Sequence, residues 1–120
     1  MKLWVDQSKE FGVEYYVVFD QNKIVALSVL QYNVIEGFEL LGIVVSQKYR
    51  RKELGKSLIE NALKVCKGLG FQSIKVAVFT DNKPMLLLLI SLEFIPCEIK
   101  YKMRYDGGDV LYFTKKIEDK

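Results

Sequence analysis

One stretch constrains this chain more than any other: Leu40 to Leu58, LLGIVVSQKYRRKELGKSL. Its apolar run, Leu40 to Val45, reads as a buried strand. A polar turn from Ser46 to Lys52 follows and carries Lys48, Arg50, Arg51 and Lys52. Leu54 and Gly55 then open a helical pattern, with Lys56 and Ser57 in its first turn. A strand that runs through a basic turn into a helix leaves the first helical N–H groups unbonded, with the positive end of the helix dipole behind them. Such a junction suits a phosphate or pyrophosphate. The competing reading is an ordinary connection whose basic residues are simply solvated.

The rest of the chain supplies strands around that junction. Lys2 to Val5 reads equally as a short strand or a frayed end. Glu14 to Phe19 is aromatic and β-branched, as a strand requires. The turn Asp20-Gln21-Asn22-Lys23 sends Ile24 to Tyr32 back antiparallel, and Glu36-Gly37 turns the chain again into Phe38 to Val45. The helix after the basic turn places Leu54, Leu58, Ala62, Val65, Cys66 and Leu69 on one stripe and stops at Gly68 and Gly70. Cys66 on that stripe reads as a small core residue in preference to a nucleophile. Phe71 to Phe79 alternates as a strand and, after a crossover helix, should lie parallel to the strand ending at Val45. Asp81 or Asn82 can cap a second helix with Pro84 in its first turn, and Met85 to Ile90 predicts a helix buried nearly all round. Ile95 to Tyr105 and Val110 to Ile117 read as a hairpin across Asp106-Gly107-Gly108-Asp109, with Tyr101, Met103 and Tyr105 on its packed face.

Composition excludes several chemistries. With 120 residues, half of them hydrophobic, the chain is expected to form a single domain spanning 1–120. It has no histidine, so Ser-His and Cys-His mechanisms and histidine metal sites are ruled out. Two cysteines, Cys66 and Cys97, make no disulfide framework and lack metal-ligand spacing, so no metal is expected. No apolar run is long enough to span a bilayer, and the first residues lack a secretory core, which sets a cytoplasmic expectation without membrane partners. The net charge of +3 is spread along the chain and demands no specific nucleic acid.

Val45, Tyr49, Arg50, Leu54, Gly55 and Leu58 together resemble the acetyl-CoA-binding motif of the GNAT (GCN5-related N-acetyltransferase) superfamily, V-x-P-x-Y-R-G-x-G-I-G-x-x-L. Arg51 and Glu53 depart from it, standing where the family has glycine. Asn82, Leu88 and Phe94 resemble the second motif, N-x-x-A-x-x-L-Y-x-K-x-G-F, while Met85, Leu89 and Glu93 replace its alanine, tyrosine and glycine. The resemblance runs from Glu14 onward. It implies an α/β GNAT fold: a mixed, mostly antiparallel sheet, splayed between the third and fourth predicted strands and flanked by two main helices. The helices that usually precede the meander are reduced or absent, which leaves the acceptor side open.

The resemblance further implies acetyl-CoA as co-substrate and direct transfer of acetyl to a primary amine. By it, Ile43, Val44, Val45, Arg50, Arg51, Lys52, Glu53, Leu54, Gly55, Lys56, Ser57 and Asn82 hold the cofactor. The Ile43 N–H polarises the thioester carbonyl, and Val45 bonds the pantetheine arm. Leu89 stands where many members carry the acid that protonates the departing thiolate. Tyr101 or Tyr105 could replace it, against the alternative of ordinary packing. Glu39 shares strand parity with Leu41, Ile43 and Val45 and matches the glutamate base of histone-acetyltransferase-type members; the alternative is a meander residue facing water. Partners so implied are acetyl-CoA or CoA and an amine, small molecule or protein, with a homodimer left open. A catalytically weak or inactive CoA-binding module, acting as sensor or interaction domain, is the alternative function. A P-loop is a poor third, because Arg50 occupies the first glycine position ahead of Gly55-Lys56-Ser57.

Overall fold

The computed structural model describes residues 2–8, 12–50 and 53–117. Seven strands form one sheet in the order β1-β2-β3-β4-β5-β7-β6. The meander is β1 (Lys2–Ser8), β2 (Val13–Asp20), β3 (Lys23–Asn33) and β4 (Gly37–Val45), each antiparallel to the next. Gln21 and Asn22 both take positive φ, 51° and 66°, which is what a tight two-residue hairpin between twisted strands demands. At the next turn the Asn33 carboxamide oxygen accepts from the Ile35 and Glu36 N–H groups at 3.0 and 2.6 Å.

Helix α1 (Leu54–Gly68) crosses from β4 to β5 (Ser73–Phe79). It ends in paired bonds, Gly70 N–H to Lys67 C=O and Phe71 N–H to Cys66 C=O, with Gly70 at φ +86°. Helix α2 (Lys83–Ser91) leads to β6 (Ile95–Lys100) and β7 (Val110–Lys116), and β7 inserts between β5 and β6. Both helices pack one sheet face: Leu58, Ile59, Ala62, Cys66, Leu89 and Phe94 join Leu30, Phe38, Leu40, Ile74, Val76 and Phe113 in one core. Burial pushes the Cys66 thiol up to about 11, as suits an inert core residue. Among the described residues, no helix covers the other face, and none is long and apolar enough to cross a membrane.

Three expectations need correction. The strand expected over Ile95–Tyr105 ends at Lys100, because Lys102 turns left-handed at φ 56° and the chain leaves the ladder. Tyr101, Met103 and Tyr105 are therefore exposed rather than packed. Helix α2 is not buried nearly all round: Leu89 is its one buried residue, and Leu87 and Ile90 face outward. Third, β4 carries an extra residue. Leu30 pairs with Leu40 and Val29 with Gly42, so Leu41 bulges out between them, beside a glycine, as bulges often are. The bulge reverses parity. Phe38 and Leu40 before it, and Ile43 and Val45 after it, all face the core, so Glu39 shares its face with Gly42 and Val44 instead.

Candidate active site

Strands β4 and β5 pair in parallel over three rungs only, Phe38↔Ile74, Glu39↔Lys75 and Leu40↔Val76. Beyond Leu40 they part, and the backbone groups that β4 would turn toward β5 face a gap. Two clefts lie along the gap and share Ile43, Val44, Phe79, Asn82 and Met85.

The larger cleft, about 870 Å³, runs toward the start of α1. Ile43, Val44, Val45, Arg50, Glu53, Gly55, Lys56 and Asn82 all line it. The first bond of α1 is Ser57 N–H to Glu53 C=O, and no side chain caps the helix. The N–H groups of Leu54, Gly55 and Lys56 thus point out of the helix start, able to receive an anion. Leu54 contributes only that N–H, since its side chain is buried in the core. Ser57 is exposed and lies outside the lining. Arg51 and Lys52 lie outside the described residues. A Cβ on Gly55 would sit 3.5 Å from the Leu88 side chain of α2, an ordinary contact, so only a side chain branching beyond Cβ would crowd the floor between the helices. Two contacts brace the loop: Arg50 Nε donates to Val45 C=O at 3.3 Å, and the Tyr49 hydroxyl donates to Asp20 at 2.5 Å.

The two glutamates at glycine positions of the resemblance explain why glycine is usual there. Glu53 (φ 58°) and Glu93 (φ 68°) both adopt the left-handed conformation that costs a side-chain-bearing residue about 1–2 kcal/mol. Glu53 is exposed and stands at the rim of the larger cleft.

From α2, the cleft receives Asn82, Pro84, Met85 and Leu88. Asn82 caps the helix, its side-chain oxygen accepting from Met85 N–H at 3.4 Å. Leu89 is fully buried in the core, and Leu88 occupies the cleft wall. Tyr101 and Tyr105 line neither cleft.

The smaller cleft, about 360 Å³, takes Glu39, Val44, Ala77 and Tyr112 from the uncovered face of the sheet. Glu39 lies at its edge, half-buried, and burial raises its carboxyl pKa above the usual range. Lys75 and then Lys100 pull it back down, and Glu36 and Glu98 add to the rise. Tyr112 walls the same cleft and was not anticipated. Its only sequence signal is the alternation Val110, Tyr112, Thr114 along β7, which says nothing of a site.

The acetyltransferase (GNAT) family model matches residues 2–92. The chain belongs to this family. Solved GNAT-type structures share the fold at low identity. An IAA acetyltransferase from Bacillus cereus is 18% identical with a TM-score of 0.79, covering 88% of this chain and 78% of that one. The ribosomal-protein-S18-alanine N-acetyltransferase of Escherichia coli is 22% identical with a TM-score of 0.78, covering 95% and 74%. A Bacillus subtilis acetyltransferase in complex with CoA is 16% identical with a TM-score of 0.78, covering 98% and 100%. No curated protein sequence matches the chain. As a GNAT acetyltransferase, the chain carries the family's splayed β4–β5 pair and its loop-to-helix junction, with substituted glycines at two turns.

Proposed function

We propose that this GNAT protein is an acetyl-CoA-dependent N-acetyltransferase that moves acetyl directly to a primary amine. The observation that carries the reading is the gap between β4 and β5, with free helix-start amides at one mouth and Glu39 at the other. Acetyl-CoA enters at the α1 side, its pyrophosphate on the N–H groups of Leu54 to Lys56 with Arg50 and Lys56 alongside. The pantetheine arm runs along Val44 and Val45 in place of the missing strand, and the Ile43 N–H polarises the thioester carbonyl. Glu39, directly or through one water, takes the proton from the ammonium that arrives from the uncovered face. The freed amine attacks the carbonyl carbon; the C–N bond forms, the C–S bond breaks, CoA leaves as thiolate, and the extra proton on the new amide nitrogen passes to solvent water.

One observation favours a second reading, a CoA-binding module with little turnover. The α2 side chains at the cleft are Asn82, Pro84, Met85 and Leu88, and none can protonate a thiolate. A screen of amine acceptors, following free thiol release from acetyl-CoA, separates the two. Acceptor-dependent release supports transfer; binding of CoA without release by any amine supports the module.

A further inference from the structure

The sheet gathers four charged side chains on the uncovered face beside Glu39's cleft. Lys75 is the register partner of Glu39 on β5, and its ammonium is held by Glu98 of β6 at 3.1 Å. Glu98 lies opposite Tyr112 in the ladder and Lys100 opposite Val110 of β7. Both lysines rest on the Tyr112 ring, Lys75 at 4.7 Å and Lys100 at 5.1 Å from its centroid. Their situations differ. Among the described residues, Lys75 has its carboxylate and Lys100 has none within ion-pair distance. An ammonium held only by a ring face keeps its three donors for another acceptor.

The cleft therefore holds a carboxylate at one end, and beyond its Tyr112 wall stands the Lys100 ammonium, which has no ion-pair partner among the described residues. We propose that the acceptor is a small amine that also bears a carboxylate, an amino-acid type of molecule, with its amine at Glu39 and its carboxylate on Lys100. This rests on the acetyl-transfer reading and names its substrate class. Strands β4 and β6 are three spacings apart, about 14 Å between backbones, and Lys100 leaning over Tyr112 shortens that span. An amine several bonds from its carboxylate fits better than one adjacent to it. A diamine would set its second cation against Lys100 and be disfavoured.

The test uses ω-amino acids from glycine to 6-aminohexanoate, each paired with its amide. For each pair, kcat/KM is measured with saturating acetyl-CoA. The longer acids should be preferred over their amides by about fivefold, the scale of a partly exposed charge pair. Lys100→Gln should close the gap and Lys100→Glu should invert it, with acetyl-CoA affinity by calorimetry unchanged. Equal kcat/KM for acid and amide throughout, or a preference that survives Lys100→Gln, overturns the proposal. NMR titration of the same pairs into the protein, with and without CoA, decides the case where no acceptor turns over. Lys100-dependent binding of the acids sustains the proposal even as the transfer reading fails, and equal or absent binding ends it.

Discussion

At the cofactor mouth, the polar groups that would hold a ligand come mostly from one continuous segment, residues 43–56, joined by Asn82 of α2. At the acceptor mouth, Glu39 and Tyr112 line the cleft and Lys75 and Lys100 rest on the Tyr112 ring, so the side chains come from four different strands, β4, β7, β5 and β6. The first mouth presents mainly backbone: unbonded N–H groups at the start of α1, with Gly55 leaving the floor bare of side-chain atoms. The second presents side chains whose convergence depends on strand order and register. A backbone site survives side-chain drift and is vulnerable to added bulk. A side-chain site keeps its shape when one residue changes and loses its chemistry instead.

Adding bulk at the cofactor mouth should give the largest effect. Gly55→Val places branched methyls against Leu88 where the pyrophosphate and helix floor meet. Acetyl-CoA binding should become undetectable by calorimetry while circular dichroism and melting stay near wild type; unchanged affinity would remove the helix start from the site.

The matching change at the acceptor mouth leaves shape and removes chemistry. A protonated alkyl amine has a pKa near 10, so only about a thousandth is free at neutral pH. Glu39→Gln should lower turnover about 10²-fold while leaving acetyl-CoA affinity intact. In the wild type, the rate should rise with pH as Glu39 loses its proton, at a pH above the usual carboxylate range because burial raises its pKa. That acidic limb should vanish in the variant. A variant that keeps both rate and limb means that the base is elsewhere.

Leu89 sharpens the contrast, because sequence position and structural position disagree. A tyrosine at 89 would enter a filled core, and overpacking of that kind costs about 1–3 kcal/mol. Leu89→Tyr should lower the denaturation midpoint without raising the rate, whereas Leu88→Tyr puts a phenol on the cleft wall. A folded Leu89→Tyr variant with faster thiol release would show that this helix turns on binding.

The smallest effects concern the strained turns. Glu53→Gly and Glu93→Gly each exchange a left-handed glutamate for the residue that adopts this conformation freely. Each should gain up to about 1 kcal/mol in urea titrations, net of glycine's entropy. Only Glu53→Gly should also tighten CoA, by removing a carboxylate beside the phosphates. Equal CoA gains from both would mean that Glu53 does not face the ligand.

How far the sequence could be read follows the same division. The β4–loop–α1 junction was legible because its signals are local: an apolar run, a basic turn, a glycine and a 3.6-residue stripe. The parallel pairing of β4 with β5 followed from the crossover helix between them. The bulge at Leu41 was not legible, since register is decided by which β3 residues sit opposite, and Gly42 alone does not reveal it. One extra residue moved Glu39 to the other face from Ile43, away from the helices and toward the open side. The end of β6 was misread because the alternation of Tyr101, Met103 and Tyr105 continues past the ladder. The chain there is instead held by Arg104, whose guanidinium grips Asp81 at 2.6 and 3.1 Å and Asp106 at 2.7 Å. Tyr112 with its two lysines is a cross-strand arrangement that no single segment encodes.

The central claim is that the two mouths belong to one gap, with the thioester held between them. A crystal structure with acetyl-CoA bound tests it most directly. The account predicts the pyrophosphate on the Leu54 to Lys56 amides and the acetyl oxygen on the Ile43 N–H, about 3 Å away. It also predicts that the Glu39 carboxylate faces the acetyl carbon across room for one amine or water. A cofactor bound with its acetyl group outside the β4–β5 gap, or on the helix side away from Glu39, would contradict it.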